Sequence, residues 1–218
     1  MDVEVFVDVI CPWCYIGARR LESALEVFEH GDQVEVTWRS FELDPSSAPS
    51  DESVTAVEHL AAGKRLPVEQ VVLMMERVEG VARGEGLEID LKASHPGNTF
   101  DAHRLLHLAH DRGLQAALKA RLDRASFVEG VSVSDHAELV RLATEVGLAE
   151  AEVRDVLGSD RYAVDVRADE QWAHAQGVSG VPFFVIDGRY GVSGAQPAGS
   201  LVAVLERAWA ERTEPAAR

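Results

Sequence analysis

The feature that most constrains this chain lies at its start. Valines at every second position, Val3, Val5, Val7 and Val9, run directly into Cys11-Pro12-Trp13-Cys14, after which the apolar spacing becomes helical. Period-two β-branched residues over Val3 to Ile10 predict a strand near the middle of a sheet. Beyond Cys14, the residues Ile16, Leu21, Leu25 and Phe28 fall near one helix face until His30-Gly31 ends it. Alternation returns over Val34 to Leu43, through Val36 and Trp38, and closes a strand-helix-strand unit expected to be parallel and right-handed. Both cysteines therefore belong to the turn between the first strand and the first helix.

The polar, proline-bearing stretch Pro45 to Ser53 marks where the sheet pattern stops. About a hundred residues of helical pattern follow. Pro67 is placed to open a helix through Met75 and Val81 that Gly84 and Gly86 end. Asn98 or Thr99 can cap a helix through Leu105 and Leu108 to Gly113, and Leu114 to Phe127 forms another before Gly130. Asp135 with Glu138 has the form of a capping box for a helix ending at Gly147. Asp160 to Gln176 is one more amphipathic helix. Phe183-Phe184-Val185-Ile186 is a strand, Asp187-Gly188 a hairpin turn, and Arg189 to Val192 should pair back antiparallel. A last helix runs through Leu201, Val204, Leu205 and Trp209, and Glu214 to Arg218 reads as a frayed tail. This order is expected for an α/β, thioredoxin-like fold with a large all-helical insertion. Residues 1–45 and 160–214 would form the thioredoxin-like domain and residues 46–159 the helical lid.

A length of 218 residues with 46% hydrophobic content supports one core, or a core with an insertion. The formal charge of -16 repels polyphosphate backbones and anionic lipid, so neither nucleic acid nor a membrane is an expected partner. The opening Met1-Asp2-Val3-Glu4-Val5 carries acids where a secretory leader carries bases, and no apolar run reaches membrane-spanning length, so the expected location is cytoplasmic. Nothing in the pattern sets an oligomeric state.

The chain has only two cysteines, three positions apart, so none is left to staple a secreted scaffold and cysteine usage points to chemistry. Thiol-disulfide exchange needs an attacking thiolate, a second thiol to resolve the mixed disulfide, and surroundings that favour the anion. At a strand-to-helix turn, unpaired helix N–H groups and the positive dipole end lower a thiol pKa from ~8.5 to roughly 3.5–7.5. Pro12 suits the first helical turn, where a missing N–H costs nothing. Helical i, i+3 spacing puts Cys14 on the same side of the turn, within disulfide reach. Cys11, nearer the helix end, is the candidate nucleophile and Cys14 the resolving thiol. The redox-active disulfide between them would take the place of a cofactor.

Other chemistries use the same letters. CxxC is also half of a zinc site, which His103, His107 and His110 could complete from one helix face. A structural disulfide would close too short a loop to add much stability. Trp13 serves either as a rim contact for partners or as packing that shapes the turn. Asp8 is either a partly buried acid relaying protons to Cys14 through water, or a strand-end residue solvated or hydrogen-bonded to the turn.

The strand, the CPWC, the helical block, Ser179-Gly180-Val181-Pro182-Phe183-Phe184 and Tyr190-Gly191-Val192-Ser193-Gly194-Ala195-Gln196-Pro197 together resemble the DsbA family, in its cytosolic FrnE-type branch of predicted dithiol-disulfide isomerases. The resemblance implies that Pro182 is cis and faces the cysteine pair, leaving the backbone of Val181 to pair with an extended substrate. Asn98-Thr99-Phe100-Asp101-Ala102-His103-Arg104-Leu105 resembles a lid motif of hydroxychromene-carboxylate isomerases and kappa-type glutathione transferases, which makes Asn98 and His103 candidates either for lining the cleft or for capping and packing roles. Those relatives carry serine where this chain has Cys11. His107 and His110 are expected on the surface or in lid packing. Three functions follow as expectations. The first is a thiol-disulfide oxidoreductase or isomerase acting on protein or small-molecule disulfides and thiols, with glutathione as a possible co-substrate. The second is a glutathione-dependent isomerase or transferase on a small aromatic or polyketide-like compound. The third is a non-catalytic protein-binding or zinc-holding module.

Overall fold

The computed structural model describes residues 1–48 and 54–213. The expected tail from Glu214, and residues 49–53 of the polar boundary, lie outside the described residues. The sheet has the order β2-β1-β3-β4, built from β1 (Asp2–Val7), β2 (Glu35–Ser40), β3 (Phe183–Ile186) and β4 (Tyr190–Ser193). β1 runs parallel to β2, with Val5 opposite Trp38, and antiparallel to β3, with Val5 opposite Phe184. Asp187 and Gly188, at φ 53° and 63°, turn β3 into antiparallel β4, the left-handed pair that a tight hairpin requires.

β1 ends at Val7, before the expected Ile10, because Asp8 takes over the hydrogen bonding. Its carbonyl accepts the Cys11 N–H at 3.1 Å, while its carboxylate accepts the N–H of Ile10 at 3.4 Å and of Leu43 at 2.7 Å. Val9 is buried, as a strand valine would be, but among the helices of the insertion. Helix α1 (Pro12–Val27) then starts with Cys11 at its cap and Pro12 in its first turn. It buries two faces. Cys14, Ala18, Leu21 and Ala24 pack on the sheet with Leu201, Leu205 and Ala208 of the last helix, α9 (Ala198–Thr213), while Ile16 packs into the insertion.

The insertion contains α2 (Ala56–Lys64), α3 (Val68–Gly84), α4 (Phe100–Asp111), α5 (Gln115–Phe127), α6 (His136–Glu145) and α7 (Glu150–Leu157); α8 (Ala163–Ala175) lies on the other sheet face, where Trp172 stacks on Phe6 at 5.1 Å. The helical pattern did not resolve α2 or α7 as separate elements. Pro67 is the residue before α3 and not its first. Thr99 occupies the cap of α4 without a side-chain bond, whereas the Asn98 carboxamide oxygen accepts the Phe100 N–H at 3.0 Å. Asp135 accepts the Glu138 N–H at 2.9 Å, but Glu138 turns to Arg141 and leaves the reciprocal half of the box unmade.

Side chains of the helices close the β2 edge, where backbone groups would otherwise be open to a foreign strand. Gln115 bonds both the N–H (3.0 Å) and the carbonyl (2.9 Å) of Trp38, and Asp169 accepts the Ser40 N–H at 2.9 Å. Beside Gln115, Lys119 and Asp123 form an ion pair at 2.5 Å with 1% and 2% side-chain exposure, and the lysine lies over the Trp38 ring. Among the described residues no helix is long and apolar enough to cross a membrane.

Candidate active site

Cys11 and Cys14 are both free thiols, 5% and 0% exposed. The turn that ends β1 fixes the first sulfur at the mouth of α1, and one helical turn sinks the second into the core beneath it. Their environments separate them electrostatically. The Cys14 S–H holds the Cys11 thiol below its ordinary value of 9.0, against the opposing effect of burial; the N–H groups of Cys14 and Trp13 help, and the Asp8 carboxylate opposes. Burial pushes Cys14 well above 9.0, reinforced by the hydrogen bond it gives to Cys11 and by repulsion from that sulfur; Lys119 and the Asp8 N–H pull weakly the other way. One sulfur is set up as an anion and its neighbour as the proton donor that steadies it.

The Val181–Pro182 peptide bond is cis, and the Val181 carbonyl oxygen lies 3.6 Å from Cys11 Sγ. In the thiol form Cys11 donates to that oxygen. Antiparallel pairing of β3 with β1 sets this loop across from the cysteines, and a Gly194 N–H donated to the Pro182 carbonyl at 2.8 Å ties it down. Gly17 makes the approach possible: a Cβ there would meet Pro182 Cγ at 2.8 Å. Sequence reasoning did not single out Gly17, although a glycine inside a helical pattern is itself a signal of close packing.

The other expected site residues divide. Pro12 and the 40%-exposed Trp13 stand at the mouth of a cleft of about 510 Å³ that starts at Cys11 and runs under α2 and α3, past Met75, Val78 and Leu91 to Phe127 at the end of α5. Asp8 is fully buried and bonded to the turn, not solvated. His103 and Asn98 are not on the cleft wall. α4 enters beneath the β1–α1 turn, so His103 is completely buried with Nε2 3.6 Å from Asp8 Oδ1, and neither ring nitrogen makes a hydrogen bond among the described residues. Asn98 donates to Glu42 at 3.3 Å as well as capping α4. His107 contacts Ser40 Oγ at 3.1 Å and Asp169 Oδ2 at 3.2 Å, while His110 is exposed. Among the described residues no three His, Cys, Asp or Glu side chains converge as metal ligands would.

The sheet thus carries a dithiol at the β1–α1 turn, opposite a cis proline just before β3. The DSBA-like thioredoxin domain family matches residues 2–206. The chain belongs to this family. Among solved DsbA-type structures, a probable DsbA oxidoreductase from Streptomyces coelicolor is 44% identical at a TM-score of 0.92, covering 100% of this chain and 94% of that one. The fold is also that of 2-hydroxychromene-2-carboxylate isomerase (14% identity, TM-score 0.73, 97% and 98% coverage). It is likewise that of the cytosolic disulfide reductase DsbM from Pseudomonas aeruginosa, solved with GSH (18% identity, TM-score 0.59, 97% of both chains). The DsbA-like fold with a helical insertion is thus established for this chain, and with it membership of an oxidoreductase family.

Proposed function

We propose that this chain is a thiol-disulfide oxidoreductase that works through a mixed disulfide on Cys11. The observation that carries the reading is the inequality of the two sulfurs: Cys11 at the helix mouth with its pKa lowered, Cys14 fully buried with its pKa raised. The Cys11 thiolate attacks one sulfur of a substrate disulfide. That S–S bond breaks, and the departing thiolate takes a proton from solvent. Cys11, now uncharged, no longer holds the Cys14 proton, and Asp8, three residues before Cys11 and buried beside the pair, is the group proposed to receive it. Cys14 then attacks Cys11 Sγ and expels the second thiolate, which takes up the proton that left Cys14. Two electrons have passed to the substrate, giving two thiols and a Cys11–Cys14 disulfide; the reverse sequence delivers a disulfide.

The Val181 main chain beside the cis proline is positioned to pair with an extended substrate segment, and Trp13 to cover its side chains. Glutathione is the proposed small-thiol partner, in line with the GSH-bound disulfide reductase of the same fold. The cytoplasm is the proposed compartment, since both cysteines are committed to chemistry.

The test is insulin reduction and refolding of a scrambled disulfide substrate by the wild type, Cys11→Ser and Cys14→Ser. Cys11→Ser should be inactive and Cys14→Ser should trap a covalent substrate adduct. Full activity in Cys11→Ser would refute the reading, and a glutathione-dependent isomerisation surviving that substitution would favour the isomerase alternative.

A further inference from the structure

The cleft that starts at Cys11 is far more elaborate than the attack of one sulfur on another requires. Its volume of about 510 Å³ lies within the ~300–1,000 Å³ typical of small-molecule sites, and too little for a folded partner. Its walls are chiefly apolar: Ile10 and Leu43 near the sulfur, Met74, Met75 and Leu91 deeper in, and Phe127 at the far side. Both internal methionines of a chain with three lie here, and methionine's flexible thioether lets a wall adapt to flat or irregular apolar groups. Gly63 completes the roof from within α2. Nothing lies within 4 Å of where its Cβ would be, so a larger side chain can be built there without meeting a neighbouring atom.

We infer that the cleft seats the body of a low-molecular-weight apolar disulfide, one whose flat or aliphatic group slides beneath α2 and α3 while its sulfur meets Cys11. This deepens the proposed function and rests on it. Continuity with the nucleophile supports it, as do the size and the apolar lining. The reaction is the one already written: the bound disulfide RSSR and the dithiol give two RSH and the Cys11–Cys14 disulfide, and an added dithiol restores the protein.

The experiment uses full-length reduced protein and two disulfides whose thiols are of similar acidity, bis(2-phenylethyl) disulfide and bis(2-hydroxyethyl) disulfide. Cys11-dependent rates are followed against concentration. The wild type should show saturation with the phenylethyl compound and a linear dependence with the hydroxyethyl one. Gly63→Phe fills the roof and should lower the phenylethyl-to-hydroxyethyl rate ratio at least tenfold. Gly80→Phe places the same side chain at an open α3 position off the cleft wall and should leave the ratio at the wild-type value. An unchanged ratio in Gly63→Phe, an equal fall in Gly80→Phe, or linear kinetics with both compounds would overturn the inference. Loss of Cys11-dependence for both compounds would instead bring down the underlying oxidoreductase reading, so the two failures are distinguishable.

Discussion

The ring of Pro182 occupies the space that a side chain at position 17 would need: a Cβ on Gly17 would come within 2.8 Å of Pro182 Cγ and 3.4 Å of Phe184. The first helix and the proline loop therefore approach as closely as they do only because residue 17 has no side chain. Alanine would gain about 1 kcal/mol of helix propensity at either Gly17 or Gly63. At Gly17 the overpacking penalty of about 1–3 kcal/mol opposes that gain, and it wins because neither the helix backbone nor the proline ring can yield easily. Gly17→Ala should lower the melting temperature and slow exchange at Cys11, while Gly63→Ala, with open space around it, should raise the melting temperature. Thermal unfolding of both variants checks this, and equal shifts would refute it.

The two thiols should be separable by alkylation. With its pKa held below 9.0, Cys11 should react with iodoacetamide with a half-maximal pH lower than a free cysteine's, and Cys14 should stay unmodified at neutral pH. The same shifts link to stability. Between the Cys11 folded pKa and 9.0 the unfolded chain binds more protons than the native one, so the Cys11 contribution grows as pH rises through that window and disappears below it. The stability advantage of reduced wild type over Cys11→Ala should therefore increase from acid pH toward pH 9.0. A pH-independent difference in denaturant titrations would show that the sulfur carries no stabilised charge.

Asp8→Asn should shift Cys11 further down, because the carboxylate is among the groups opposing its ionisation. The carboxylate also accepts from Ile10 and Leu43. The amide keeps one acceptor oxygen, so one buried N–H is left short and stability should fall by about 1–3 kcal/mol. A mixed disulfide at Cys11 should persist longer in this variant if the carboxylate receives the Cys14 proton. Quantifying the trapped adduct by mass spectrometry, with the alkylation profile, separates the two roles; an unchanged profile would mean that the charge does not reach the sulfur.

Lys119 and Asp123 form a buried ion pair packed against Trp38. Removing one partner leaves the other charge uncompensated, so Lys119→Met should cost about 3–5 kcal/mol, and Lys119→Met with Asp123→Leu should recover most of it. Lys119 also favours the Cys14 anion, so alkylation of Cys14 in folded, reduced Lys119→Met protein should require a still higher pH. Additive losses in the double variant would argue that the pair is not a unit.

The strand-helix-strand opening, the returning hairpin and the cysteine turn were legible because each rests on local chemistry: β-branched alternation at Val3, Val5 and Val7, helix-compatible Pro12, and left-handed Asp187-Gly188. Glycine 17 could have been flagged, but only the fold reveals that Pro182 is what it accommodates. Thr55 and Glu58 do form a complete capping box for α2, a signal present in the letters and not taken up. Lys119 and Asp123 could not have been found, since a lysine four residues before an aspartate reads as a solvated surface pair until tertiary packing buries it. For His103 the letters leave cleft lining and packing equally open, and only the fold shows that its helix presents it to Asp8 behind the cysteines and not to the cleft.

The depth of Cys14 has a consequence for how the molecule ages under oxidative stress. Peroxide can reach a thiolate at the helix mouth and convert it to a sulfenic acid, but it has no comparable route to a sulfur with 0% exposure. The concealed neighbour would then condense with that sulfenic acid, releasing water and closing a bridge that thiols can reopen. In a working dithiol site, damage would thus stop on its first reversible rung, before the sulfinic and sulfonic acids that no ordinary reductant repairs.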